Sequence, residues 1–267
     1  MLHGSKFNGK IYVYGFDGNF IKSFSGPDYA MNITCVEDML LYYLPNIDGS
    51  ADTSFIITDY CGEIKKCYQN KFTYNNVNTP RGFLVEFLNF KYNKQLYIKE
   101  IYSDTIFVFD SLNFRPAYIL DHGEKTLTPE VREEINSMEN HIDIFKNQIR
   151  TVTNLFEVHN FIYSEFIDKE QLYSFIGFKD INKYLMIKGG GIINDIDGGP
   201  HINFKMARDE SSVISWIDAF ELKSYVASDA FKNSTPKYPE KKKALQQLAN
   251  SLDENDNPVL MLVKLKD

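Results

Sequence analysis

A chain of 267 residues with 43% hydrophobic and 15% aromatic content is too apolar to stay disordered and long enough to bury a large core. Its 21 Phe and 17 Tyr against a single Trp favour pleated surfaces stacked face to face. A formal net charge of −7 repels phosphate backbones and argues against nucleic acid as a partner.

Cys35, Cys61 and Cys67 form neither a disulfide framework nor a metal-type spacing, and read as buried free thiols. No apolar run reaches the roughly 18–20 residues needed to span a bilayer. The N-terminal MLHGSKFNGK lacks the apolar stretch of a signal peptide.

In chain order, IYVYGFDGNFIKSF at 11–24 predicts a hairpin, with strands 11–15 and 19–24 around Asp17-Gly18. The same pattern returns as SFIITDYCGEIKKCY at 54–68, with the turn glycines Gly18 and Gly62 spaced by 44 residues. A period of about 40–50 residues with several short strands per unit is what stacked propeller blades produce. The second unit has strands near 31–36, 39–44, 54–59 and 63–68, with a polar loop at 45–50. The third, over 83–120, reads FLVEFLNF, QLYIKE, TIFVFD and FRPAYIL, its last hairpin lacking the turn glycine.

Thr128-Pro129-Glu130 then reads as a helix start. Val131, Ile135, Met138, Ile142, Phe145 and Ile149 follow as one apolar stripe, predicting a single long helix over 129–148. Strands resume with VTNLFEVHNFIYSEFI, QLYSFIGF and KYLMIK as a fourth unit, to about 188. A fifth begins at GGGIINDIDGGPHINFKMA and continues with VISWID. Two helices decorate it, one opened by an Asp218…Glu221 capping box and one from Pro239 with Leu245, Leu248 and Leu252 on one face. VLMLVKL closes the chain as a strand. No linker interrupts 1–267, which reads as a single all-β domain, a β-propeller with helical insertions.

DTIFVFDSLNFRPAYILDHG (104–123), GIINDIDGGP (191–200) and SLDENDNPVLMLVKL (251–265) resemble segments of a family of six-bladed β-propeller proteins from gut-dwelling anaerobic bacteria. The resemblance runs from about residue 10 to the end, and that family has no established catalytic residues to map here. It implies a six-bladed ring, an exported, lipoprotein-like protein of the cell envelope or periplasm, and further N-terminal sequence of about one blade. On that basis the ring is expected to be N-terminally truncated or incomplete. The first strand pair would then lie at an open edge, or pair with another chain or with VLMLVKL.

Four side chains stand out as binding candidates. Arg81, in the loop Thr79-Pro80-Arg81-Gly82, would sit at the mouth of a propeller channel and hold a carboxylate or phosphate, unless it is a solvated loop arginine. Asp104, in the turn Tyr102-Ser103-Asp104, would share that face, although turn chemistry alone accounts for Ser-Asp. Asp195 and Asp197 sit among oxygen ligands and glycines at 194–199, which reads as a Ca²⁺ or substrate site or as an Asx corner. No acid falls at the twelfth position from Asp195, so an EF-hand loop is excluded. There is no HExxH, G-x-S-x-G or G-x-G-x-x-G pattern, and no catalytic residue, metal site or cofactor is expected. The expected function is non-catalytic binding or scaffolding, with a glycan, peptide or partner protein at the channel mouth. The alternatives are a metal-dependent propeller hydrolase or lactonase, and a sensor-type interaction module.

Overall fold

The computed structural model describes residues 2–4, 9–75, 86–135, 137–181, 183–189 and 191–266. The chain divides into two compact units: Met1–Asn89 with Gln95–Thr151, and Phe90–Lys94 with Val152–Asp267.

The strands fall into antiparallel sheets, each built mainly from consecutive strands. The first has β1 (Leu2–Gly4), β2 (Lys10–Tyr14) and β3 (Phe20–Ser25) in the order β1-β2-β3. The second has β4 (Asn32–Val36), β5 (Met39–Tyr43), β6 (Thr53–Asp59) and β7 (Ile64–Gln69) in sequence order. The third runs β11-β10-β9-β8, from β8 (Phe87–Tyr92), β9 (Gln95–Glu100), β10 (Thr105–Asp110) and β11 (Asn113–Ile119). The fourth is β12 (Thr151–Val158), β13 (Phe161–Asp168), β14 (Gln171–Phe178) and β15 (Lys183–Lys188). The fifth joins β16 (Met206–Asp209) and β17 (Ser212–Ile217) to the terminal β18 (Val259–Lys264). The protein is thus all-β, with repeated four-stranded antiparallel sheets and few helices.

Of the expected outcomes for the first strand pair, pairing with VLMLVKL does not occur among the described residues, while β3 remains an edge strand of its sheet. The first hairpin gains β1 on the β2 side, and the terminal strand pairs with β17, register Val213↔Val263. The missing turn glycine of the third sheet has a local explanation. Ser111 and Leu112 both take positive φ (+50° and +60°), as do Asn93 and Lys94 and also Lys169 and Glu170. Two consecutive left-handed residues make a type I′ turn, whose twist matches that of the flanking strands. The Leu112 carbonyl of this strained turn accepts from Lys66 Nζ at 2.6 Å and from Tyr68 Oη at 2.8 Å. Contacts from the neighbouring sheet therefore hold what the local sequence disfavours.

The helices depart most from the sequence reading. The expected single helix is two: α1 (Pro129–Glu133) and α2 (Met138–Asn147). Thr128 does cap α1, accepting from the Val131 N–H, but Ser137 starts a new helix by accepting from the Asn140 N–H. The restart re-phases the apolar stripe. Ile144 and Ile149 are buried with Ile135, Leu127, Tyr74 and Tyr102, whereas Ile142 is exposed. In the second unit α3 (Ala219–Ala227) starts after Asp218, but the Asp218 side chain makes no capping bond. A third helix appears, α4 (Asp229–Asn233), because Ser228 caps it through the Phe231 N–H. Helix α5 (Pro239–Ser251) buries Ala249, with Leu245 and Leu252 partly buried and Leu248 exposed.

The thiols are free, as expected, but exposed rather than buried. Cys35 and Cys67 lie on β4 and β7, the edge strands of the second sheet, and Cys61 lies in the β6–β7 turn.

The core of the first unit joins the second and third sheets through Leu41, Tyr43, Phe55, Ile57, Leu96, Ile98 and Phe109. Aromatic edges fill this interface: Phe114 packs 5.2 Å from Phe55 and 4.7 Å from Tyr68, centroid to centroid.

Candidate functional site

Strand β9 carries two kinds of chemistry because its pleat sends alternate side chains to opposite faces. Leu96, Ile98 and Glu100 share one face, and Tyr97 and Lys99 the other.

On the first face lies a cleft of about 360 Å³, a size suited to a small ligand. Phe55, Tyr68, Phe72, Phe107 and Phe114 supply aromatic walls; Lys66, Gln69, Lys71, Asn113 and Glu100 supply polar groups. Lys66 is fixed by its bonds to the Leu112 carbonyl and to Asn113 Oδ1, and lies 5.0 Å from the centre of the Tyr68 ring. Burial pushes the Tyr68 phenol up to about 12, keeping it a neutral donor. Burial also raises the Glu100 carboxyl to about 7, against the opposing pull of Lys71 and Lys99. Glu100 therefore changes protonation near neutral pH, inside an aromatic cleft.

On the other face lies a closed polar cluster. Asp104 Oδ1 accepts from Thr126 Oγ1 at 2.7 Å and faces His122 Nδ1 at 3.0 Å. Its Oδ2 accepts from the His122 backbone N–H at 3.3 Å. A carboxylate has no proton to give, so Nδ1 carries the imidazole proton and Nε2 keeps its lone pair. Nε2 is buried and has no hydrogen-bond partner among the described residues. Burial pulls His122 down to about 4, helped by the Lys99 and Arg150 charges and opposed by Asp104, so the ring is neutral at pH 7. Lys99 is itself 3% exposed, and burial lowers its ammonium to about 8 despite Asp104 and Glu100.

Of the four side chains singled out by sequence, Asp104 thus belongs to the turn before β10 and points into this cluster. Arg81 lies outside the described residues. Asp195 and Asp197 belong to the second unit. Asp197 Oδ1 accepts from Asn194 Nδ2 at 2.7 Å and from the Gly199 N–H at 2.8 Å, an Asx-type corner. Asp195 pairs with Lys237 Nζ at 2.6 Å, and its carbonyl accepts the Lys237 N–H. The corner thereby ties down the segment that leads into α5. Among the described residues, no three His, Cys, Asp or Glu side chains are placed to hold a metal ion. No described helix is long and apolar enough to cross a membrane.

Sequence reasoning passed over Lys99, Glu100 and His122. The available signal was the adjacent Lys-Glu pair in QLYIKE, which forces one charge onto each face of an otherwise apolar strand.

The fold has a relative among solved structures. A Bacteroides fragilis NCTC 9343 protein described as exported (BF0058) matches with TM-score 0.71 at 15% identity, covering 99% of this chain and 74% of that one. BamB from Moraxella catarrhalis (TM-score 0.31, 8% identity, 80% of this chain and 75% of that one) and the Dos1 propeller (TM-score 0.34, 12% identity, 78% and 48%) are too distant to bear on function. No curated protein matches the sequence. A family model covers residues 3–264, and the chain therefore belongs to the family described as Domain of unknown function (DUF4934).

Proposed function

We propose that this protein is a non-catalytic binding module whose ligand site is the aromatic cleft along β9, taking a glycan or peptide segment. The observation that carries this reading is the convergence of five aromatic rings with Glu100, Lys71 and Gln69 on one cavity. Flat rings accept the apolar face of a sugar or side chain, and a few placed polar groups fix its orientation. Glu100 is the discriminating group: it donates when protonated and accepts when ionised. Asp104 enters the reading as a positioning residue that fixes the loop behind β9. Arg81, Asp195 and Asp197 stand as further binding candidates on other loops.

We read the successive sheets as blades of a β-propeller domain spanning the chain, six-bladed in type. Kinship of fold with the exported B. fragilis protein supports a place in the cell envelope or periplasm. The competing enzymatic reading, a metal-dependent hydrolase or lactonase, requires a set of metal-holding acids from several blades. A sensor-type module would use the same cleft for a partner protein's segment.

The test is a glycan and peptide array on the full chain, followed by titration of the hits against Lys71→Ala, Gln69→Ala and Glu100→Gln. A hit weakened about tenfold by these changes supports the cleft, since each removes one or two hydrogen bonds. Hits indifferent to all three variants remove it. Lactone or ester turnover abolished by chelation moves the protein to the enzymatic class.

A further inference from the structure

The second unit holds a separate cavity of about 480 Å³, framed by two hairpin tips. One is the β8–β9 turn at 91–94, and the other the β16–β17 turn at 207–211. Among its lining residues is Glu157, near the end of β12, whose side chain is 1% exposed. Its Oε1 accepts from Lys179 Nζ at 2.5 Å, and Lys179 in turn sits 4.6 Å from the centre of the Tyr92 ring. Its Oε2 is buried without a hydrogen-bond partner among the described residues. A buried carboxylate oxygen left bare forfeits its solvation with nothing in return, so its retention calls for a donor.

The rim supplies the opposite chemistry. Lys91 and Lys94 are exposed, and neither makes an ion pair among the described residues. Asp209, on the facing tip, is already engaged: it accepts from the Ser211 N–H and Oγ and lies 3.9 Å from Arg208. With Glu157 neutralised by Lys179 and Asp209 engaged, the free charge at the mouth is carried by Lys91 and Lys94 against Glu210.

We infer that this cavity is a ligand site for a small hydroxylated anion, a sugar acid or a sugar phosphate. One hydroxyl donates to Glu157 Oε2, and the acid group lies against Lys91 and Lys94. A neutral polyol would leave the two ammonium groups unused, and a bare inorganic anion would leave Oε2 bare. The inference is independent of the aromatic cleft, which belongs to the other unit and shares no residue with this cavity.

Titration calorimetry on the full chain with D-glucuronate, glucose 6-phosphate, D-glucose and inorganic phosphate tests it. At least one hydroxylated anion should bind about tenfold more tightly than glucose or inorganic phosphate, as expected for charge-assisted bonds added to a hydroxyl contact. Preference between glucuronate and glucose 6-phosphate identifies the source of the acid group. Affinity should fall as salt is raised from about 0.05 to 0.3 M, because the rim charges are screened. It should fall about tenfold in the double variant Lys91→Ala/Lys94→Ala, and comparably in Glu157→Gln. The double variant sits on an exposed tip and keeps the test valid if Glu157→Gln fails to fold. The inference is overturned if neither hydroxylated anion binds below about 10 mM, the weak end of specific recognition. It is also overturned if glucose or phosphate binds as well, or if Glu157→Gln alters stability while affinity is unchanged, the behaviour of a carboxylate that holds only water.

Discussion

His122 should make this protein acid-sensitive, and by a calculable amount. In the folded chain its imidazole is held neutral down to about 4, against an ordinary value of 6.5, first by burial and then by the Lys99 ammonium. In the unfolded chain it protonates at its ordinary value. The folded-state pKa is depressed, so the stabilisation is complete above pH 6.5 and drains away as pH falls toward 4. Linkage over that window amounts to about 3 kcal/mol, of which about 2 kcal/mol is lost between pH 7 and pH 5. The perturbation is His122→Asn, since an asparagine amide reaches the Nδ1 position and still donates to Asp104 but does not titrate. The variant loses packing at every pH, so the quantity to compare is the slope. Urea melts at pH 7 and pH 5 should show the wild type losing about 2 kcal/mol more than the variant over that interval. Direct observation of the His122 ring by NMR should place its titration below about pH 5. Equal slopes for the two proteins, or a His122 resonance titrating above pH 6, would refute the reasoning and imply that Nε2 reaches water.

Three further outcomes follow from the same geometry. Gly62→Ala should cost about 2–4 kcal/mol in urea unfolding, because a Cβ there would clash with the Ser25 carbonyl oxygen at φ +89°, whereas Gly18→Ala at φ +83° meets open space and should cost only about 1 kcal/mol. Lys66→Met should cost about 1–2 kcal/mol by removing two hydrogen bonds that hold the Ser111-Leu112 turn, and hydrogen exchange at that turn should rise. Glu100→Gln should stabilise the protein by about 3 kcal/mol at pH 8 and by almost nothing at pH 4. The raised folded-state value means the cost of the ionised carboxylate builds between 4.5 and about 7, and a gain independent of pH would show that Glu100 is solvated.

The strands were legible in the sequence because their cause is local. Short β-branched and aromatic runs bounded by polar residues, as in TSFIITD and QLYIKE, favour strands, and Asp17-Gly18 favours a turn. Where a neighbouring sheet supplied the deciding contact, the sequence was silent. Leu112 at φ +60° is a poor turn residue on its own, and only Lys66 and Tyr68, more than 40 positions away, hold its carbonyl. The helical stripe misled for a related reason: its periodicity was real, but Ser137 restarted the helix and exchanged Ile142 for Ile144 in the core. The charged groups of the candidate site follow the same division. The sequence determined that Lys99 and Glu100 must face opposite ways, because adjacent residues of a strand always do. Only the tertiary structure decided that both faces would be covered, and covering is what moves the protonation of Glu100, Lys99 and His122, since desolvation depends on what packs against a side chain and not on its neighbours in the chain.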